Sequence, residues 1–389
     1  MEEELIPARL KRKASNEFSE SDWETFRRWQ FNTEHTNLNP GTLGTLSKSV
    51  KESLAHFYSE TSSAYPLDEY QKGRLYLEKC LEYSSLLFKT GMHCSITQGT
   101  TETLNLLFLS FIASNRKSTL SVLTFEEEHI GGTGFFDTHR SITVDKAAGI
   151  NSFYEMLSRN NYDIVFFSHI TYIYGTEYPV HDLVSAIRNT QGKAIIVIDC
   201  AQSLALAGLP QVDADFMVAS AHKWLFGPRG LGFLWVSSKQ LKVFDGLFLN
   251  GDWLHGDVER QRFMRAGGHD FSAYAALVSS LQLYQAIGSR VIQQRSTQLA
   301  EYLSNRVKNI LDNKHVKYQG LPGNPLRHGF FSIDFEEVDP YPIYQALNKE
   351  KVHIKCIKKP GINVLRWGVP YFESKRRLDL VATIFEKTL

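Results

Sequence analysis

Between residues 95 and 236 the chain passes six times through a short, unbroken apolar run and each time leaves it for a helical or polar stretch. The runs are Ser95-Ile96-Thr97, Leu120 to Phe125, Asp163 to Ser168, Ala194 to Ile198, Phe216 to Ala219 and Gly232 to Val236. A sheet with one wet face alternates apolar and polar residues, whereas unbroken runs need cover on both faces. The pattern therefore predicts an α/β fold with a largely parallel sheet surrounded by helices. Ahead of it lie a helical pattern around Ser21 to Phe26 and a glycine-rich turn, Asn39-Pro40-Gly41-Thr42-Leu43-Gly44, before a helix near Ser47. Behind it a long helical pattern runs from Ala273 to about Leu311 with a break at Gly288, then strands near Phe330 to Ile333 and Val352 to Ile354, then a helix from about Ser374. These boundaries divide the chain into an N-terminal segment (1–38) packing on a small domain, a large domain (39–285) and a smaller α+β C-terminal domain (286–389).

In open α/β sheets, ligands bind outside the carboxyl ends of the strands, and the polar residues of this chain fall there. Lys223, in Ser220-Ala221-His222-Lys223-Trp224, follows one apolar run, and Asp199 ends the one before it. A lysine and an aspartate at the ends of neighbouring buried strands are what a pyridoxal phosphate (PLP) enzyme needs. The amine captures the cofactor aldehyde, and the carboxylate keeps the pyridine nitrogen protonated so that the ring accepts electrons. Gln98-Gly99-Thr100-Thr101-Glu102 opens a helix with free N–H groups, two hydroxyls and a glycine that permits close approach, a cradle suited to phosphate. His129, in the polar turn Glu126-Glu127-Glu128-His129, either stacks on a flat ring or sits on the surface beside three glutamates. Arg366 follows a short apolar strand and offers a planar fork that clamps a carboxylate with two parallel hydrogen bonds.

A formal net charge of +1 gives no support for a nucleic-acid surface. Apolar stretches of about eight residues fall short of the roughly twenty that span a bilayer, so no membrane span is expected. The acidic N-terminus lacks an apolar signal segment. Cys80, Cys94, Cys200 and Cys356 are scattered without metal-ligand spacing. They predict reduced thiols in a cytoplasmic protein and no metal site.

Taken in order, Gln98-Gly99-Thr100-Thr101-Glu102, Glu128-His129, Ser168-His169-Ile170, Asp199-Cys200-Ala201-Gln202-Ser203 and Ser220-Ala221-His222-Lys223 resemble the motifs of the class V aminotransferase family. Asn37 to Gly44 and Gly267 to Tyr274 look most like its isopenicillin N epimerase-like branch. The resemblance implies the PLP-dependent transferase fold type I, with a mainly parallel seven-stranded sheet in the large domain. It implies a homodimer that shares its active sites. Residue by residue, it implies Lys223, Asp199 and His129 as catalytic groups, with Gln202 on the ring hydroxyl. Gly99, Thr100, Thr101, Ser220 and His222 would surround the phosphate, together with Gly268 in place of a threonine from the partner subunit. Arg366, Tyr172 and Asn39 would face the substrate, Tyr172 standing where desulfurases have an asparagine.

Desulfurases of this family present a nucleophilic cysteine on a loop shortly before the arginine. Here that stretch is short, and its one thiol, Cys356, adjoins a strand. The expected substrate is an L-α-amino acid deprotonated at Cα, with a lyase or cyclase, aminotransferase or epimerase outcome. The alternatives are a cysteine desulfurase supplying sulfur to partners and a non-catalytic regulator on the same fold.

Overall fold

The computed structural model describes residues 5–7, 10, 14–32, 34–61, 66–114, 119–243, 270–320 and 328–389. After β1 (Thr36–Asn37), a central sheet is built from β2 (His93–Thr97), β3 (Leu120–Phe125), β4 (Ile142–Ala147), β5 (Ile164–Ser168), β6 (Ile195–Asp199), β7 (Phe216–Ser220) and β8 (Gly232–Val236). Their spatial order is β2-β8-β7-β6-β5-β3-β4, and β8 alone runs antiparallel to its two neighbours. The result is the expected α/β fold with a mixed, mostly parallel seven-stranded sheet. Strands β5 and β7 are buried along their whole length, as their unbroken apolar runs require. Burying one such phenylalanine or valine side chain stabilises the fold by about 1.5–3 kcal/mol.

The apolar-run reading overlooked β4. This edge strand reads Ile-Thr-Val-Asp-Lys-Ala, and only its two terminal residues are buried. With a single neighbour and a wet edge it needs no apolar run, and its charges suit an edge.

Helix Phe271–Ile287 is buried on nearly all sides against helices Lys48–Thr61 and Pro66–Leu87, which explains its apolar, non-periodic composition. At Gly288 the backbone turns left-handed (φ +89°), and a second helix, Ser289–Asn313, departs. The predicted break falls on a conformation that glycine adopts without steric cost.

A second, antiparallel sheet contains β9 (Tyr318–Gln319), β10 (Phe330–Phe335), β12 (Lys355–Lys359) and β13 (Ile362–Gly368), in the order β12-β13-β10-β9. Its core, with Trp367, Phe331 and Phe385, includes helix Lys375–Thr388. Between β10 and β12 lies β11 (Val352–His353), which pairs in parallel with β1. Cys356, expected to adjoin the Val352 strand, belongs instead to a separate strand. It is the second residue of β12, paired with Leu365 in a hairpin. Gly267, Gly268 and His269 lie outside the described residues, while Asp270 caps the helix that begins at Phe271.

Candidate active site

The direction of connections reverses between β3 and its neighbour β5, the kind of switch point where open α/β sheets leave a crevice. A cavity of about 560 Å³ opens there, at the carboxyl ends of β2, β3, β5, β6 and β7. Gly99, Thr100, Thr101, His129, Tyr172, Asp199, Gln202, Ser220, His222, Lys223 and Arg366 all line it. Asn39 is not on the wall itself and reaches the cavity through Arg366.

One end is a set of donors. Helix Thr100–Ser114 starts here, and Gly99 takes a positive φ of +132° to lead into it. Thr100 donates its N–H to Ser220 Oγ at 3.0 Å, and the two hydroxyls lie 2.8 Å apart. His222 Nδ1 is buried without a hydrogen-bond partner among the described residues. A Cβ on Gly131 would fall 2.6 Å from Thr101 Oγ1 and 2.8 Å from His129 Nδ1, so only a glycine leaves this corner open.

In the middle stand Lys223 and Asp199. Burial lowers the Lys223 amine to about 8, with Asp199 opposing that drop. Burial raises the Asp199 carboxyl, opposed by Lys223 and by the Ala201 N–H, which donates to it at 2.7 Å. His129 caps helix Ile130–Thr138, and its Nδ1 accepts the Gly131 N–H at 3.0 Å. The ring opens onto the cavity, and its packed flank, followed by the charges of Lys223 and Arg366, pushes it down to about 4. It is thus a neutral imidazole at physiological pH. Tyr172 meets its edge at 4.9 Å.

The other end is Arg366, 4% exposed. It donates to the Tyr172 carbonyl (2.6 Å), Asn39 Oδ1 (2.9 Å) and Thr42 Oγ1 (3.3 Å). None of these acceptors is charged, and among the described residues no carboxylate pairs with it. Burial lowers its pKa to about 10. A buried, unpaired charge costs several kcal/mol, and an anion entering the cavity offsets part of that cost.

Gly41, Thr42, Glu128 and Lys355 are among the residues on or beside this cavity that were not singled out from the sequence. Gly41 sits where a Cβ would lie 2.6 Å from Gln202 Oε1 and 3.1 Å from Arg366 Nη2. Thr42 binds Arg366. Glu128 is buried, accepts the Ser168 N–H at 2.7 Å and the Ser168 hydroxyl, and is raised to about 8 by burial. Lys355 lines the cavity from β12. The turn at Asn39 was the one available signal for Gly41 and Thr42. Glu128 hid within a run of glutamates that reads as solvated surface. Gln202 is held at both ends, donating to Gly41 O (2.9 Å) and accepting from Trp224 Nε1 (3.0 Å).

Phosphate-sized donors at one end, an amine and a carboxylate in the middle and an unpaired guanidinium at the other fit pyridoxal phosphate with an amino acid beside it. The fold and this site define a fold-type-I PLP enzyme class. The aminotransferase class-V family profile matches residues 89–361, and the chain belongs to that family.

Among curated relatives, a probable cysteine desulfurase of Vibrio cholerae is 28% identical over 57% of this chain and 59% of its own. One from Pyrococcus abyssi is 26% identical over 49% of each. The chain thus spans about half the length of these relatives. Among solved structures, the apo cysteine desulfurase of Thermococcus onnurineus superposes with a TM-score of 0.77 at 20% identity, covering 94% of this chain and 97% of that one. A cystine C-S lyase in complex with cysteine persulfide gives 0.78 at 19%, covering 90% and 97%. At these identities the structural likeness speaks for the fold alone.

Among the described residues, no helix is long and apolar enough to cross a membrane, and no cluster of three or more His, Cys, Asp or Glu could hold a metal ion.

Proposed function

We propose that this protein is a PLP-dependent enzyme that acts on an L-α-amino acid by removing the Cα proton. The observation that carries the proposal is the buried Arg366, unpaired by any acid among the described residues, in the same cavity as Lys223 and Asp199. When bound, the cofactor supplies an electron sink for the bond broken at Cα. Lys223, its pKa held near 8, has roughly a tenth of its amine neutral at pH 7, where an ordinary lysine has less than a thousandth. It is the attachment point for the cofactor aldehyde and, once released, the base that takes and returns the Cα proton. Asp199 pairs with the pyridine nitrogen, and neutral His129 covers the ring face. Thr100, Thr101, Ser220 and His222 receive the phosphate. Arg366, aimed by Asn39 and Thr42, holds the α-carboxylate and excludes neutral amines by leaving its own charge unmatched.

The lyase, aminotransferase and epimerase outcomes share this first step, and the fold does not choose among them. The expected homodimer with shared sites, and residence in the cytoplasm, belong to the same proposal. Cysteine desulfuration is a second reading, favoured by the names of the relatives. Against it stands Cys356, half-buried in β12 on the core of the second sheet, its thiol pushed up by burial and by Asp339. A persulfide carrier needs the reverse, an exposed thiol with a lowered pKa.

The test is deuterium exchange at Cα in PLP-loaded protein over a panel of L-amino acids, read by mass spectrometry. At least one amino acid is expected to exchange with wild type and none with Lys223→Ala. Absence of exchange across the panel in wild type would falsify the proposal.

A further inference from the structure

Strand β12 carries lysines at 355, 358 and 359. Side chains alternate along a strand, so Lys355, Ile357 and Lys359 share one face, and Cys356 and Lys358 the other. Ile357 packs on Ile173 and Val364 with Tyr172 beside them, which turns the first face toward the segment that walls the cavity. On the opposite face, Lys358 is matched by Asp339 at 2.9 Å. The cavity-side lysines have no such partner: among the described residues neither Lys355 nor Lys359 forms an ion pair. Lys355 lines the cavity. The Lys359 ammonium donates to Tyr172 Oη at 2.5 Å and sits 5.2 Å from the centre of that ring. Both lysines also lower the His129 pKa, after larger contributions from burial, Lys223 and Arg366.

A solvated surface strand would carry lysines like these for solubility alone. Two observations speak against that reading. The pairing is asymmetric: Lys358 is neutralised, whereas Lys355 on the cavity wall and the exposed Lys359 beside Tyr172 form no ion pair among the described residues. Lys359 is also held in place by the wall residue Tyr172. Under the proposed function, the phosphate end has its own donors and Arg366 takes the α-carboxylate. The β12 lysines are then positive charge in excess of what the cofactor and the amino-acid backbone require.

We propose that the substrate carries a second carboxylate at the end of its side chain, and that Lys355 and Lys359, with the Tyr172 hydroxyl, select it. This rests on the reading that Arg366 receives the α-carboxylate. The arrangement favours amino acids with an acidic side chain over neutral ones of the same length, because a carboxylate accepts charge-assisted hydrogen bonds that an amide cannot match. Lys359 would leave its bond to Tyr172 or share it with the incoming group. Both lysines face solvent on one side, so the preference should weaken as salt screens them.

The experiment titrates PLP-loaded protein with L-glutamate, L-glutamine, L-aspartate and L-asparagine, following the cofactor absorbance. Each acid and its amide are isosteric, so their affinity ratio isolates the charge. At low salt at least one acid should bind ten times more tightly than its amide or better. In the double variant Lys355→Gln/Lys359→Gln that ratio should fall at least fivefold, and half-molar salt should reduce it in wild type. Acids and amides that bind alike would overturn the lysine pair and leave the amino-acid reading standing. So would a ratio that survives in the double variant. If no amino acid perturbs the cofactor absorbance, the proposed function fails first and this inference with it.

Discussion

At the scale of single residues, Arg366 decides which ligands the cavity can hold. Its guanidinium is buried, its three acceptors are neutral, and it faces a cavity that also holds an amine and a carboxylate. A charge-assisted bond to a partly desolvated carboxylate contributes about 1.5–3 kcal/mol. Arg366→Ala is therefore expected to weaken amino-acid binding by roughly ten- to a hundredfold. It should leave the spectrum of the bound cofactor nearly unchanged, because the donors assigned to the cofactor lie elsewhere in the cavity. Arg366→Lys should rescue only in part, since an ammonium cannot reproduce the planar fork. Spectroscopic titration with an amino acid and its decarboxylated amine checks this. A wild type that prefers the amine would refute the clamp. Lys223 and Asp199 could be read from sequence because each is a charged residue at the end of an apolar run, where an unpaired charge is costly. Arg366, expected to follow its strand, lies inside β13 as the fifth of seven residues. Glu128 could not, because its burial depends on Ser168, forty positions later in the chain.

Two short elements aim these residues. The Asn39–Gly44 turn bridges the two sheets. Asn39 holds Arg366, and Gly44 donates its N–H to His222 O at 2.7 Å, so close that a Cβ there would lie 2.3 Å from Lys223 O. The glycines in this turn were legible as a turn signal. Their reason, close approach to the backbone of Lys223 and to Gln202, was not. The β12-β13 hairpin is the other element. It brings Lys355 opposite Arg366 and turns Cys356 toward the second core. A cysteine locked in a strand ladder cannot swing onto a substrate. Cys356→Ser should accordingly keep most of the wild-type turnover on whichever amino acid exchanges its Cα proton. Trapping a persulfide on Cys356 after cysteine treatment, with loss of turnover in the serine variant, would restore the desulfurase reading.

At the scale of the whole molecule, the site joins parts that are far apart in the chain. The phosphate end belongs to the central sheet, the clamp to the second sheet, and the Asn39 turn spans them. A ligand that engages such a site binds the folded state only, and so stabilises it by mass action. PLP at a hundred times its dissociation constant should add about 2.7 kcal/mol of stability, and raise Tm by several degrees, read by differential scanning fluorimetry. Pyridoxal lacks the phosphate and should give much less, and Lys223→Ala should lose part of the PLP effect. Equal shifts from PLP and pyridoxal would refute the phosphate assignment at Thr100, Thr101, Ser220 and His222.

The sequence by itself determined the covered sheet, the break at Gly288 and the polar residues at the strand ends. Each follows from local composition: unbroken apolar runs, a glycine where the backbone turns left-handed, and charges stopping a buried run. Edge strand β4 escaped this logic because an edge needs no apolar run. Only the tertiary structure decided that Glu128 is buried, that Arg366 has no acidic partner among the described residues, that Cys356 turns away, that Lys355 lines the cavity and that Lys359 reaches Tyr172 on its wall. These are facts about which segments meet, and meeting is set by the packing of two sheets and one turn rather than by any property of a residue's neighbours in the chain.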